Sequence, residues 1–181
     1  MFTESDPDIN NWVAELDRHI DHGDAWIARV VAHINPTLIS AIYRTIAEHG
    51  RVNMLDALLR MHPLSKPTER ILCTTLARYG QIECLKVARK HGCDWCPRTT
   101  CSYAANFGHL ATLKWLRVNG CKWDTWTPAY AAKNGHLDML KWIRTEGCDW
   151  DNELVCEGAY RGGHTDVHDW IAEEGEFVDW I

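Results

Sequence analysis

The sequence predicts an all-α protein made of about six stacked helical hairpins, and three observations support this. Residues 102–124 (SYAANFGHLATLKWLRVNGCKWD) and 129–151 (AYAAKNGHLDMLKWIRTEGCDWD) are almost the same segment. Their glycines, Gly108 and Gly135, lie 27 residues apart, a period typical of stacked repeats. Leu137, Leu140 and Ile143 recur at the spacing of one helix face.

The glycine series extends the repeat in both directions. Gly163 continues it downstream, and Gly80, Gly50 and Gly23 continue it upstream. Residues 63–67 contain two prolines, which interrupt helices, so we expect a lengthened loop there. We therefore expect one domain over 1–181, with a divergent N-terminal unit at 1–37, central repeats at 38–152 and a C-terminal capping repeat at 153–181.

Each unit begins with a short first helix. In the second copy, Thr127 followed by Pro128 predicts the start of this helix, with Thr127 as its N-cap. Trp126 stands just before that cap, and we expect its ring to form a hydrophobic staple onto the first turn. Gly135 ends the helix, because glycine readily adopts the left-handed conformation.

The second helix of the same unit is predicted over residues 137–145. Trp142 lies nearly opposite Leu140 on this helix, and apolar residues on two sides predict a helix packed between neighbouring units. Gly147 ends it, and residues 148–151 then leave room for a tight turn rather than a long extended finger.

These segments resemble ankyrin repeats. They are most similar to the short ankyrin-type repeats abundant in giant viruses of amoebae and in some protists, which share the Tyr-Ala-Ala, Gly-His-Leu, Leu-Lys-Trp and Gly-Cys-x-Trp-Asp elements. The resemblance covers roughly residues 68–175. It implies an ankyrin-like helical-hairpin solenoid whose hairpin fingers are truncated, since the common ankyrin unit has about 33 residues.

Composition excludes several classes of partner and location. A net charge of −6 without a basic run argues against nucleic acid as a partner. No apolar run approaches the ~20 residues of a membrane-spanning helix, and the acidic N-terminus lacks a signal core. We therefore expect a cytoplasmic protein, in the host cytoplasm if it is viral, whose eight cysteines are free thiols.

Two motifs are candidate metal sites. Cys93 and Cys96 form a CxxC, but Cys93 is the repeat cysteine, matched by Cys121 and Cys148, and no second CxxC completes a ligand set. His164 and His168 lie four residues apart on a helix, but Thr165 stands where a zincin has glutamate. We expect neither pair to bind metal, and we interpret His168 as part of an end cap.

A histidine recurs before each second helix, as His109, His136 and His164. Catalytic residues do not usually occur as one equivalent copy per repeat, so we interpret these histidines as capping the helix or bracing the loop. The chain also has no phosphate-binding loop, nucleophile elbow or paired carboxylates with a partner histidine. We therefore predict that it is not an enzyme and has no cofactor.

The candidate binding residues are surface positions that vary between otherwise similar units, because such positions line one face of a solenoid. Phe107 and Tyr79 would be the aromatic anchors, since aromatic side chains are enriched in interface hot spots. The candidate residues are Arg78, Tyr79, Arg98, Asn106, Phe107, Asp124, Lys133, Asn134 and Asn152.

The predicted function is therefore non-catalytic protein–protein recognition through the solenoid surface. The resemblance implies a viral adaptor that engages host proteins; no F-box motif accompanies the repeats. The alternative is a self-associating scaffold or virion component, for which the apolar residues 177–181 are the candidate contact. We expect a monomer with a protein partner, without nucleic acid or membrane.

Overall fold

The structure is a computed structural model that describes residues 36–61, 64–97 and 99–173. This part of the chain contains helices and no strands. The helices are α1 (Pro36–His49), α2 (Val52–Met61), α3 (Lys66–Arg78), α4 (Ile82–Lys90), α5 (Thr100–Asn106), α6 (Leu110–Val118), α7 (Trp126–Lys133), α8 (Leu137–Thr145), α9 (Asn152–Gly162) and α10 (Thr165–Glu173).

The helices follow one another as five successive pairs in the described residues, which confirms an all-α hairpin fold. The predicted second helix over 137–145 is confirmed, since α8 has these bounds. Residues 119–125 and 146–151, which link successive pairs, contain no strand, so the long fingers of common ankyrins are reduced to turns. The predicted N-terminal unit at 1–37 lies almost entirely outside the described residues.

The chain divides into two compact units. The described part of unit 1 comprises residues 36–76 and 81–95, and that of unit 2 comprises 77–80 and 96–173. Helix α3 therefore begins in unit 1 and ends in unit 2. The single-domain organisation over 1–181 stays a prediction.

Unit 1 is held together by an aliphatic core and a polar tie between two helices. The core includes Leu55 of α2, Leu72 of α3 and Leu85 of α4, each of which is at most 2% exposed. Each contributes about 2 kcal/mol by leaving water. At the end of α4, His91 Nε2 lies 2.8 Å from Asp56 Oδ1 on α2, so a charge-assisted hydrogen bond fastens the packed helices α2 and α4.

Unit 2 contains three hairpins, α5–α6, α7–α8 and α9–α10, and its first helices pack in series. Helix α7 packs against both α5 and α9. The approach of α9 is closest at two glycines, where an added Cβ at Gly158 would lie 2.6 Å from Ala129 O and one at Gly162 would overlap Lys133 O. Small residues allow this backbone-to-backbone contact, as the alanines of α7 predict.

Tryptophans in the linking turns join the hairpins of unit 2. The Trp123 ring meets Trp142 of the next hairpin edge-on at 5.7 Å, and Trp150 meets Trp170 at 6.3 Å. The guanidinium of Arg117 lies 4.0 Å above Trp123 while its Nη1 donates to Cys121 O at 2.7 Å. Arginine thus holds both the ring and the end of the second helix, and the expectation that Trp142 contacts a neighbouring unit is confirmed.

The predicted start of α7 is wrong, and the loop predicted over residues 63–67 ends earlier than expected. Helix α7 begins at Trp126 rather than at Pro128, because Asp124 Oδ1 accepts from the Trp126 amide at 3.2 Å and sets the turn earlier. Thr127, the predicted N-cap, is fully buried inside the helix. Helix α3 begins at Lys66, so Pro67 lies in its first turn, where the missing amide proton costs no hydrogen bond.

Candidate protein-binding surface

The first helices of unit 2 expose aromatic rings in pairs. Tyr103 and Phe107 stack on α5 and its end with ring centroids 6.4 Å apart, and Trp126 and Tyr130 lie 6.0 Å apart on α7. The exposed fractions are 39% for Tyr103, 40% for Phe107 and 50% for Trp126. Exposed aromatic side chains that cluster on a folded domain mark a contact surface.

A cation covers one end of this surface. The guanidinium carbon of Arg78 lies 4.7 Å from the Phe107 ring centroid and 5.6 Å from that of Tyr79. These distances allow cation–π attraction, which fixes the long arginine side chain on the rings. We call the set comprising Tyr79, Tyr103, Phe107, Trp126 and Tyr130, with the cations Arg78 and Lys133, the aromatic face.

A pair of asparagines connects the two halves of this surface. Asn134 Nδ2 donates to Asn106 Oδ1 at 3.0 Å and to Tyr130 O at 2.9 Å. The turn after α7 is therefore fastened to the end of α5 as well as to its own helix. Lys133, beside Asn134, is exposed. Six of the predicted positions thus lie on or next to one surface: Arg78, Tyr79, Asn106, Phe107, Lys133 and Asn134.

The other predicted site residues are in different surroundings. Asp124 Oδ1 accepts from the Trp126 amide and lies 3.4 Å from Ser102 Oγ, so this carboxylate holds the start of α7. Asn152, at the start of α9, accepts from the Trp150 indole. Hydrogen bonds within the protein explain both positions. Arg98 lies outside the described residues.

Sequence reasoning missed three members of the aromatic face. Tyr103 is on α5, whose C-cap is the predicted anchor Phe107, while Trp126 and Tyr130 are on α7; the i, i+4 spacing of both pairs is the signal that indicates them. Trp126 packs on the first turn of α7 against Tyr130, as a staple requires, but half of its surface remains exposed. The matching residue of α3, Ile71, is exposed too.

The repeated histidines brace neighbouring hairpins. His109 Nε2 donates to Arg78 O at 2.9 Å, the carbonyl that precedes Tyr79 and Gly80. His109 and His136 occupy the N-cap positions of α6 and α8, but neither side chain caps its helix. Of the two predicted roles, the structure therefore shows bracing. Gly108 has a φ of +76°, and a Cβ there would lie 2.8 Å from the His136 ring.

The cysteines have the properties of structural thiols. All eight residues are free, and burial raises the pKa of Cys93 to about 11 and that of Cys148 to about 12. A raised pKa keeps a thiol protonated and poorly nucleophilic at neutral pH. Among the described residues, no group of three histidine, cysteine or acidic side chains is arranged to hold a metal ion.

The fold and this surface define a class: helical-hairpin repeat proteins with an exposed face on the first helices. Residues 101–144, which span most of the hairpins α5–α6 and α7–α8, match the family model of ankyrin repeats in many copies. The match supports an ankyrin repeat protein, as the sequence resemblance implies. Ankyrin repeats generally mediate protein–protein interactions.

Two further findings concern curated proteins and membrane-spanning helices. No curated protein matches the chain. In the part of the chain that the structure describes, every helix is too short or too polar to cross a membrane.

Proposed function

We propose that this protein is a non-catalytic recognition module that binds a protein partner through the aromatic face of unit 2. The observation that carries the proposal is the exposure of Phe107, Tyr103 and Trp126 in two ring pairs, one stacked and one tilted. Rings held by their neighbours lose little rotamer freedom on binding, so their contact area is converted efficiently into affinity. Tyrosine, tryptophan and arginine are also the residues most enriched in hot spots.

The resemblance to short viral repeats extends the proposal to the kind of partner. In this proposal the protein is an adaptor that meets a host protein in the cytoplasm, where its thiols stay reduced. An F-box protein or ubiquitin ligase would then be recruited through a separate partner.

The test is affinity capture from an extract of the cells in which the protein is made, with the full chain as bait. We expect a specific partner to be retained by the wild type and lost with the Tyr103→Ala, Phe107→Ala double variant. Each truncation at a hot spot removes about 2 kcal/mol, so retention falls at least tenfold.

Val118→Ala is the matched control. Val118 is 87% exposed at the end of α6 and is not part of the aromatic face. Capture that survives the double variant, or that Val118→Ala reduces equally, would place the binding surface elsewhere. Unchanged circular dichroism of both variants is required, so that loss of capture reports on the surface rather than on folding.

A further inference from the structure

We infer that the aromatic face binds a short acidic segment of its partner that also carries an apolar side chain. This rests on the proposed function and specifies the chemistry of the partner. The apolar requirement follows from the rings, and the acidic requirement follows from the two cations beside them.

The acidic requirement rests first on Arg78. Its guanidinium lies over Phe107 and Tyr79, and no carboxylate among the described residues pairs with it. By contrast, Arg161 pairs with Glu157 at 2.7 Å, and Arg60 lies 3.3 Å from Asp56. A guanidinium that lies over a ring can still donate its N–H groups to a carboxylate in bidentate geometry.

The second cation lies on the following first helix. Lys133 is exposed at the end of α7, and it too has no carboxylate partner in the described residues. Two nearby carboxylates are already engaged: Asp124 holds the start of α7, and Glu157, on the helix α9 that packs against α7, pairs with Arg161. A chain with 25 acidic and 19 basic residues thus presents positive charge beside exposed aromatic rings.

Together these features fit an extended peptide better than a small anion. Arg78 and Lys133 belong to the first helices α3 and α7, which the hairpin α5–α6 separates in sequence, and Tyr103 and Phe107 lie between them in the chain. A segment with an acidic residue near each cation and an aliphatic or aromatic residue between them satisfies all three groups. Charge complementarity of this kind steers association and fixes the register of the bound segment.

The experiment selects the partner chemistry without assuming a sequence. A displayed library of random twelve-residue peptides is selected on the full chain, and the enriched peptides are synthesised with a fluorescent label. We expect enrichment of Asp and Glu around one aromatic or aliphatic residue. Fluorescence anisotropy should show about tenfold weaker binding to Arg78→Gln, as for a hot-spot truncation, and unchanged binding to Val118→Ala.

Two further binding measurements, one at varied salt concentration and one with a nucleic acid ligand, extend the test. Affinity for the acidic peptide should fall as NaCl rises from 50 to 500 mM, because salt screens exposed charges. A labelled twelve-nucleotide oligo(dT) is measured in parallel, since nucleic acid also combines negative charge with stacking rings. Oligo(dT) that binds the wild type more tightly than the peptide does would overturn the inference.

The outcomes separate this inference from the proposed function. The enriched peptides could be neutral or basic, with binding that depends on Phe107 and is unchanged by Arg78→Gln. That result overturns the acidic chemistry and leaves the recognition face in place. A library with no enrichment overturns the peptide inference, and partner capture that needs Phe107 then still supports the proposed function. Loss of both Phe107-dependent enrichment and Phe107-dependent capture overturns the two together.

Discussion

At the residue scale, single glycines and histidines set the spacing of the hairpins. Gly108 combines a positive φ with contact from His136 of the next hairpin, whereas Gly120 has a φ of +80° with nothing within 4 Å of its would-be Cβ. The two glycines therefore carry the same backbone requirement and differ in the histidine contact. Gly120 is therefore needed only for the turn, whereas Gly108 also leaves room for a side chain of the next hairpin.

We predict that Gly108→Ala destabilises the protein more than Gly120→Ala does. An alanine in left-handed backbone costs about 1–2 kcal/mol, which both variants lose. At Gly108 the methyl group also displaces the His136 ring, and overpacking of this kind adds about 1–3 kcal/mol. Urea unfolding followed by circular dichroism measures the difference, and equal losses for the two variants would show that the histidine contact contributes nothing.

The sequence predicts these residues only in part. The period assigns a histidine to the same position in three successive units, as His109, His136 and His164, and so indicates a local structural role for it. It does not distinguish capping from bracing, because the Arg78 carbonyl that His109 contacts becomes a neighbour only when hairpins stack. The exposure of Trp126 was missed for a similar reason, since burial depends on what packs over a position.

At the element scale, helix identity is predictable and helix starts are less so. The bounds of α8 follow from its apolar stripe and flanking glycines. The start of α7 was placed too late because Thr127-Pro128 is a strong local signal, and yet Asp124 reaches the Trp126 amide first. A carboxylate makes a charge-assisted bond to an amide, which is stronger than the bond a threonine hydroxyl makes.

Contacts between elements offer a pH-dependent test in unit 1. The pKa of Asp56 is lowered, chiefly by its hydrogen bond to His91 and further by Arg60 and Lys90. A carboxyl group whose pKa is lower in the folded than in the unfolded chain stabilises the fold above its unfolded value, near 3.8. That contribution is lost as pH falls through the folded-state pKa.

We therefore predict that Asp56→Asn lowers the free energy of unfolding at pH 7 by about 1 kcal/mol. The gap between wild type and variant should narrow as the pH falls below 3.8 and close below the folded-state pKa, where wild-type Asp56 is protonated in the folded chain as well. Asp149→Asn is the control, since Asp149 is exposed and makes no hydrogen bond within the described residues. Denaturant melts across pH give the comparison, and a gap that stays constant as the pH is lowered through the acid range would contradict the tie.

At the scale of the whole molecule, the last hairpin differs from those before it in a way that bears on self-association. His168 occupies the position of Leu113 and Leu140, which are fully buried, and its own side chain is 44% exposed. Tyr160, at 82% exposure, stands where Ala105 and Ala132 are fully buried. Terminal repeats of stacked proteins need a polar outer surface to stay soluble, and the end cap at 153–181 stays a prediction. The apolar residues 177–181 lie outside the described residues.

We predict that the wild-type chain sediments as a monomer at 5 and 100 µM, and that the His168→Leu, Tyr160→Ala variant associates at the higher concentration. The double change restores the leucine and alanine that earlier hairpins bury, so it recreates an apolar surface like those on which successive hairpins stack. Sedimentation velocity at both concentrations measures this. A wild type whose sedimentation coefficient rises with concentration would favour the scaffold alternative, because self-association would then be a property of the natural surface.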